Sequence, residues 1–250
     1  MGKSIGRAAL VTLACAVSVA ARAGEDPGIA AVLDKAIRSL GGEERLTKFK
    51  AATYKTRGKI WVEGKEHPFT GEFAVQGLDR YREEYSTELL NKKAREVAVL
   101  YGDKGYRNVA DLSSELNPQE VADLKRTVYL AVIPATLLPL KDKVYKLENV
   151  ADDKVGDRLA AGIRVTPPDG KEFRIYFDKE TGLPVKLVAN IVAVGGGEFR
   201  HETAYADYKD FGGIQKASKI TTKRDGHDFM QQEITEFKEF SKLDEKVFLK

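Results

Sequence analysis

One cysteine, two methionines, one tryptophan and three histidines are all that 250 residues contain of those types, and each scarcity excludes some chemistry. The lone Cys15 cannot close a disulfide within the chain, so an apolar core must hold the fold together. His67, His201 and His227 fall in different runs and lack the spacing of metal ligands. His201-Glu202-Thr203-Ala204-Tyr205 opens like a zinc-protease helix but has no second histidine and lies in a strand pattern. No serine sits in a Gly-x-Ser-x-Gly elbow, and Gly195-Gly196-Gly197 has neither the Lys-Ser/Thr nor the helix that a phosphate cradle needs. No metal and no cofactor are therefore expected. Carboxylates do occur in pairs, as at Glu83-Glu84, but neighbours on a strand point to opposite faces and cannot flank one substrate. Glu83 shares its parity with Tyr81 and Tyr85, and a rim position or a cross-strand ion pair is the ordinary reading of it. A hydrolase using Glu83 is the least favoured function, and no catalytic residue is assigned.

Long apolar runs are also missing. Ala8 to Ala20 is too short to span a bilayer. With Lys3 and Arg7 before it and Ala21-Arg22-Ala23 after it, residues 1–23 read as a cleaved signal peptide. Cys15 raises the alternative of a lipidated cysteine, but Thr12 stands where such a box has leucine, and apolar residues continue past it to Ala20. Lys3, Arg7 and Arg22 are the only charges of that leader. Removing them from the 41 basic residues leaves 38, equal to the 38 acidic ones. The expected product is periplasmic or secreted, and it has no basic surplus to draw it to nucleic acid.

What the chain does have is alternation. Phe173, Ile175 and Phe177 alternate with Glu172, Arg174 and Tyr176. Asp178 to Gly182 then turns the chain, and Leu183, Val185, Leu187, Ala189 and Ile191 continue at a period of two. That period puts one set of side chains on one face of a sheet. Strands are expected from Ala52 to Val62, with Gly58 marking a bulge or bend, then around Phe69–Val75, Tyr81–Thr87 and Glu96–Tyr101. Seven more are expected at 143–149, 158–166, 172–177, 183–193, 198–208, 215–223 and 228–238, about eleven in all. Pro167-Pro168-Asp169-Gly170 and Arg224-Asp225-Gly226-His227 read as hairpin turns.

Two helices interrupt the pattern. Asp26-Pro27 is a cap followed by proline at the first helical position; Ile29, Val32, Leu33, Ala36, Ile37 and Leu40 form a stripe, and Gly41-Gly42 ends it. Asn117-Pro118-Gln119-Glu120 starts a second helix, whose continuation from Val128 to Leu140 is almost wholly apolar. The pattern fits a buried plug and a movable lid equally. The expected fold is α+β, mainly antiparallel: a curled half-open β-barrel closed by the N-terminal helix and a helical insertion at 114–140, with residues 24–250 as one domain.

The residues expected on the concave side are Tyr54, Phe69, Phe73, Tyr81, Tyr85, Phe173, Ile175, Phe177, Leu187, Phe199 and Tyr205, with Val128, Ile133 and Leu137 from the insertion. Either they fill the interior, which makes a structural or protein-interaction module, or they surround a hollow. A hollow would hold acyl chains with little polar chemistry, since each buried CH₂ contributes about 0.8 kcal/mol.

Tyr176-Phe177-Asp178-Lys179-Glu180-Thr181-Gly182-Leu183-Pro184-Val185-Lys186, then Tyr205-Ala206-Asp207-Tyr208-Lys209-Asp210-Phe211-Gly212-Gly213-Ile214, then Lys219-Ile220 and Asp225-Gly226, resemble the C-terminal half of LolA/LolB-like outer-membrane lipoprotein-sorting proteins. The resemblance covers about a third of the chain. Gln215-Lys216-Ala217-Ser218 stands where many relatives have a proline before the Lys-Ile strand. The resemblance implies an incomplete antiparallel barrel closed by helices, with no enzymatic activity. It also implies carriage of acylated lipoproteins; the expected partners are a lipid or acylated lipoprotein and a membrane-associated protein that delivers or receives it, and the expected state is a monomer.

Overall fold

The computed structural model describes residues 27–89, 92–109, 112–192 and 196–249. The expected leader, the Asp26 cap and Gly195 lie outside these residues. Helices α1 (Pro27–Leu40) and α2 (Glu43–Lys48) precede strands β1 (Ala51–Val62), β2 (Lys65–Gln76), β3 (Arg80–Leu89), β4 (Lys92–Tyr101), β5 (Lys104–Val109) and β6 (Leu112–Glu115). Helix α3 (Pro118–Thr136) follows, then β7 (Lys146–Val155), β8 (Arg158–Thr166), β9 (Phe173–Asp178), β10 (Pro184–Val192), β11 (Glu198–Phe211), β12 (Ile214–Arg224) and β13 (His227–Phe240). All thirteen strands form one curled sheet in the order β6-β5-β4-β3-β2-β1-β13-β12-β11-β10-β9-β8-β7. The chain starts in the middle, runs by hairpins to the β6 edge, crosses to the β7 edge and returns by hairpins until β13 pairs antiparallel with β1. The sheet is not closed: β6 and β7 are its two edges, and α3 is the crossing.

That crossing fixes the shape. The Asn117 side chain accepts from the Gln119 and Glu120 amides while Glu120 accepts from the Asn117 amide, a complete capping box. Val121, Leu124 and Val128 then pack with Phe73, Tyr81, Ala98 and Leu100 of the β2–β4 wing. Farther along, Leu130 and Ile133 join Ile163, Phe173, Ile175 and Leu187 of the opposite wing. Pro134 does not break the helix. It lies in the last turn, and Leu137 at φ 60° terminates the helix by donating its amide to the Ile133 carbonyl.

Helix α1 closes one end of the sheet with Ile29, Leu33, Ala36, Ile37 and Leu40 buried against β7 and β12. The Asp178–Leu183 turn holds it there. Lys35 Nζ donates to the Lys179 carbonyl at 2.7 Å and Ser39 Oγ to the Thr181 carbonyl at 2.6 Å. Gly182, at φ +79°, lies so close that a Cβ would come within 2.9 Å of Lys35 Cγ. Asp178 shapes the turn by accepting from the Glu180 amide, the Thr181 amide and the Thr181 hydroxyl.

Four sequence expectations change. Eleven strands become thirteen, because β5 and β6 face their cavity or solvent with polar side chains and so show no apolar alternation. The insertion consequently starts after residues 114 and 115, which belong to β6. Strand β7 extends to Val155 through a bulge between Val150 and Asp153. The bulge beside β1 lies at Lys55/Thr56 rather than at Gly58. Gly58 is instead a point of close approach, where a Cβ would fall 1.9 Å from the Gln231 carbonyl oxygen. On the convex face, Leu243 and Phe248 of the C-terminal segment cover Ala51, Ala74, Val97 and Val99, a packing for which the sequence has no periodic pattern.

Asp178 yields a stability prediction. Burial alone would raise its carboxyl, but the Thr181 amide and hydroxyl, Arg158 at 3.3 Å and the Glu180 amide together hold it below the ordinary aspartate value of 3.8. Its contribution is thus complete above that value and is lost as pH falls through the lower native one. In urea unfolding at pH 7, Asp178→Ala is expected to cost about 2–3 kcal/mol, and the gap from the unmodified protein should close in acid.

Candidate functional site

Between the concave face and α3 lies a cavity of about 1330 Å³, larger than the roughly 300–1,000 Å³ of ordinary small-molecule sites. The interior is hollow rather than filled. Strand register explains which side chains reach it. Across the first wing, one row runs Phe237–Tyr54–Phe73–Glu83–Ala98–Arg107, and the next runs Ile234–Thr56–Gly71–Tyr85–Glu96–Val109. Tyr54 stacks on Phe73 with centroids 4.5 Å apart, and Tyr85 meets Phe73 and Phe69 edge-on at 5.4 and 5.7 Å. Gly71 leaves the row open, since a Cβ there would come within 2.8 Å of the Phe73 ring.

On the other wing Asp207, at φ 50°, interrupts the pairing of β11 with β12 between Ala206 and Tyr208. The interruption resets the parity, so Tyr205 and Tyr208 both line the cavity despite their odd spacing. Tyr208 donates to the Pro184 carbonyl at 2.6 Å and Ser218 to the Asp207 carbonyl at 2.6 Å. The Tyr-x-Asp-Tyr motif thus builds wall geometry.

Half of the residues expected to form the site do line the cavity: Tyr54, Phe69, Phe73, Tyr81, Tyr85, Phe173 and Tyr205. Val128, Ile133, Leu137, Ile175, Phe177 and Leu187 do not. All are buried: Ile133, Leu137, Ile175, Phe177 and Leu187 pack together and against α1, and Val128 packs against Phe73, Tyr81, Ala98 and Leu100, because the helices meet the sheet there. Phe199 has the inward parity but lies under the Arg224 guanidinium, 5.3 Å from its ring centroid, outside the cavity lining. From α3 the lining includes Leu124, Arg126, Leu130, Ala131 and Pro134.

Of the polar part of the wall, sequence reasoning singled out only Glu83, by its parity with Tyr81 and Tyr85. Glu83 faces inward and accepts from the Tyr81 hydroxyl at 3.1 Å. Burial pushes its carboxyl up to about 7 and Glu96 adds to the rise, while the Tyr81 hydroxyl and Arg107 oppose it. Glu84, one residue on, points to the convex face and pairs with Arg95 at 2.6 Å and Arg82 at 3.0 Å. His201, read as an ordinary strand residue, is set into the cavity wall. Burial, Arg224 and Arg126 lower its imidazole to about 4, so it is neutral at pH 7. Lys216 lies over the Phe237 ring at 4.8 Å, and burial lowers its amine to about 8. Arginine, histidine and lysine at inward strand positions carry no periodic signature, which is why the register reveals His201, Lys216 and Arg224. Among the described residues, no three His, Cys, Asp or Glu side chains are grouped to hold a metal, and no helix is long and apolar enough to cross a membrane.

No protein-family model and no curated protein matches the chain. Its likeness to solved structures is extensive. A LolA superfamily protein from Nitrosomonas europaea superimposes with TM-score 0.58 at 10% identity, covering 88% of this chain and 97% of that one. A domain assigned to outer membrane lipoprotein sorting in Vibrio parahaemolyticus gives 0.53 at 10% identity, covering 86% and 97%. A DUF1329 family protein from Desulfovibrio piger gives 0.53 at 12% identity, covering 88% and 97%. The chain therefore has the LolA-type fold that its C-terminal motifs resemble.

Glu83 supplies a second prediction. A carboxyl raised in the native state binds a proton there that the unfolded chain has already lost, so stability falls as pH rises from about 4.5 through 7. Glu83→Gln removes that loss and still accepts from Tyr81. It is expected to be more stable than the unmodified protein by about 1–2 kcal/mol at pH 8, a figure reduced because the carboxylate opens onto the cavity, and indistinguishable at pH 4. Urea midpoints at the two pH values check this.

Proposed function

We propose that this protein is a non-enzymatic carrier that holds the acyl chains of a lipid or acylated lipoprotein between the curled sheet and α3. The observation that carries this reading is the hollow of about 1330 Å³ walled by aromatic and aliphatic side chains of both wings. An aliphatic tail entering it leaves water without requiring a polar partner at each step, and ten methylenes would contribute about 8 kcal/mol before ordering costs. The LolA-type fold supports the same reading, as does the neighbour assigned to lipoprotein sorting. A cleaved leader over residues 1–23 would deliver the remaining chain to the periplasm or beyond as a single domain. Cargo passing between membranes would require a membrane-associated protein to deliver or receive it. Catalysis is not part of the proposal: the raised carboxyl of Glu83 has the Tyr81 hydroxyl as its hydrogen-bond partner, an arrangement that explains its position without a reaction.

Native mass spectrometry of the purified protein tests the reading. Acyl amphiphiles should be retained from the expression host or taken up on incubation, and organic extraction should recover them. Ala94 lies half-buried in the cavity lining near the β3–β4 turn. Ala94→Trp should lower uptake at least about fivefold by occupying that space, with thermal stability changed little. Failure to retain or take up any amphiphile under these conditions would reject the carrier function.

A further inference from the structure

Buried guanidinium groups are costly unless paired and hydrogen-bonded, yet two arginines, one buried and one partly buried, face this cavity with no carboxylate at ion-pair distance. Arg126 of α3 is only 3% exposed. It donates through its terminal nitrogens to the Lys171 and Glu172 carbonyls and stacks over Phe173 at 5.3 Å, while its Nε has no hydrogen-bond partner. Arg224, at the end of β12, lies over the Phe229 ring at 3.4 Å, and its Nε is likewise buried and unpartnered. Neither has a carboxylate within ion-pair distance among the described residues.

The register brings them to one place. Arg224 pairs with His201, His201 with Ala189 and Ala189 with Phe173, the ring on which Arg126 stacks. His201 therefore sits between the two cations, with its Nδ1 buried and unpartnered and its Nε2 3.1 Å from the Thr203 hydroxyl. All three residues line the cavity. Both arginines depress the imidazole, so their charges converge on it.

We infer that Arg126, Arg224 and His201 form a receptor for the anionic headgroup, a phosphate or carboxylate, of an amphiphile whose tail lies along the aromatic β1–β3 wall. This rests on the carrier reading and specifies its cargo. Two arginine Nε–H groups without a hydrogen-bond partner, on two guanidinium groups with no carboxylate at ion-pair distance, match an oxyanion, which accepts several hydrogen bonds at once. They repel a cationic headgroup and give a neutral one no compensating charge. The planar arginine forks suit an oxyanion better than an ammonium would, and the rings beneath them keep both groups in place.

The test compares oleoyl lysophosphatidate with monoolein, which carries the same chain on an uncharged head, by displacement of the neutral probe N-phenyl-1-naphthylamine from the purified protein. Lysophosphatidate should bind at least about tenfold more tightly than monoolein. Arg224→Gln should cut that preference at least about threefold, by weakening lysophosphatidate more than monoolein, with Arg224→Lys keeping more of it. Equal affinities for the two lipids on the unmodified protein would overturn the headgroup site and leave the carrier reading standing. Displacement by neither would overturn both. Inorganic phosphate competing as strongly as lysophosphatidate would show a site for the free anion and overturn the assignment to a headgroup.

Discussion

The structure depends on α3 burying apolar side chains against both wings of one open sheet. A thirteen-stranded antiparallel sheet with unpaired edges at β6 and β7 has no closed hydrogen-bond ladder to set its curvature. Twist alone would leave it a splayed ribbon with an oily face. The chain crosses from one edge to the other only once, and the crossing element is amphipathic on two sides. Val121, Leu124 and Val128 seat on the first wing, and Leu130 and Ile133 on the second. The wings can approach no closer than the helix between them allows.

The hollow follows from that spacing. Where α1 and the end of α3 reach the sheet, side chains interlock and Ile175, Phe177 and Leu187 are sealed. Beyond them, toward the hairpin tips of the first wing, no helix among the described residues descends far enough to fill the space. The cavity is thus what remains when a helix about 10 Å across is laid over a sheet wider and more curved than it can cover. Two backbone details enlarge it: Gly71 replaces a side chain that would meet Phe73, and the irregularity at Asp207 brings a second tyrosine inward.

The charged groups inside are local departures from an otherwise consistent pattern. Arg126, Arg224, Glu83 and Lys216 occupy positions where leucine or phenylalanine would strengthen the core. They persist where the wall faces open space, and aromatic rings support three of them. Elsewhere charge is conventional: Glu84 with Arg82 and Arg95, Lys186 with Asp153 and Glu202, all on the convex face or its margins. Such exposed pairs add little stability.

Alternation of apolar and polar residues was enough to read antiparallel hairpins at most of β1–β4 and β7–β13, and the Asn117 capping box and the Gly41-Gly42 stop were enough to place two helices. Period-two alternation is a local property, imposed by the pleat of each strand and visible without its neighbours. The strands it could not reveal, β5 and β6, carry Arg107 and serines at positions that face the cavity or solvent. Nor could it say which of fourteen inward residues would touch one another and which would line a void. That is a question of curvature and of where one helix comes to rest, settled by contacts between elements far apart in sequence. For the same reason Arg126 and Arg224, from a helix and a distant hairpin, meet at His201 only after the sheet has curled.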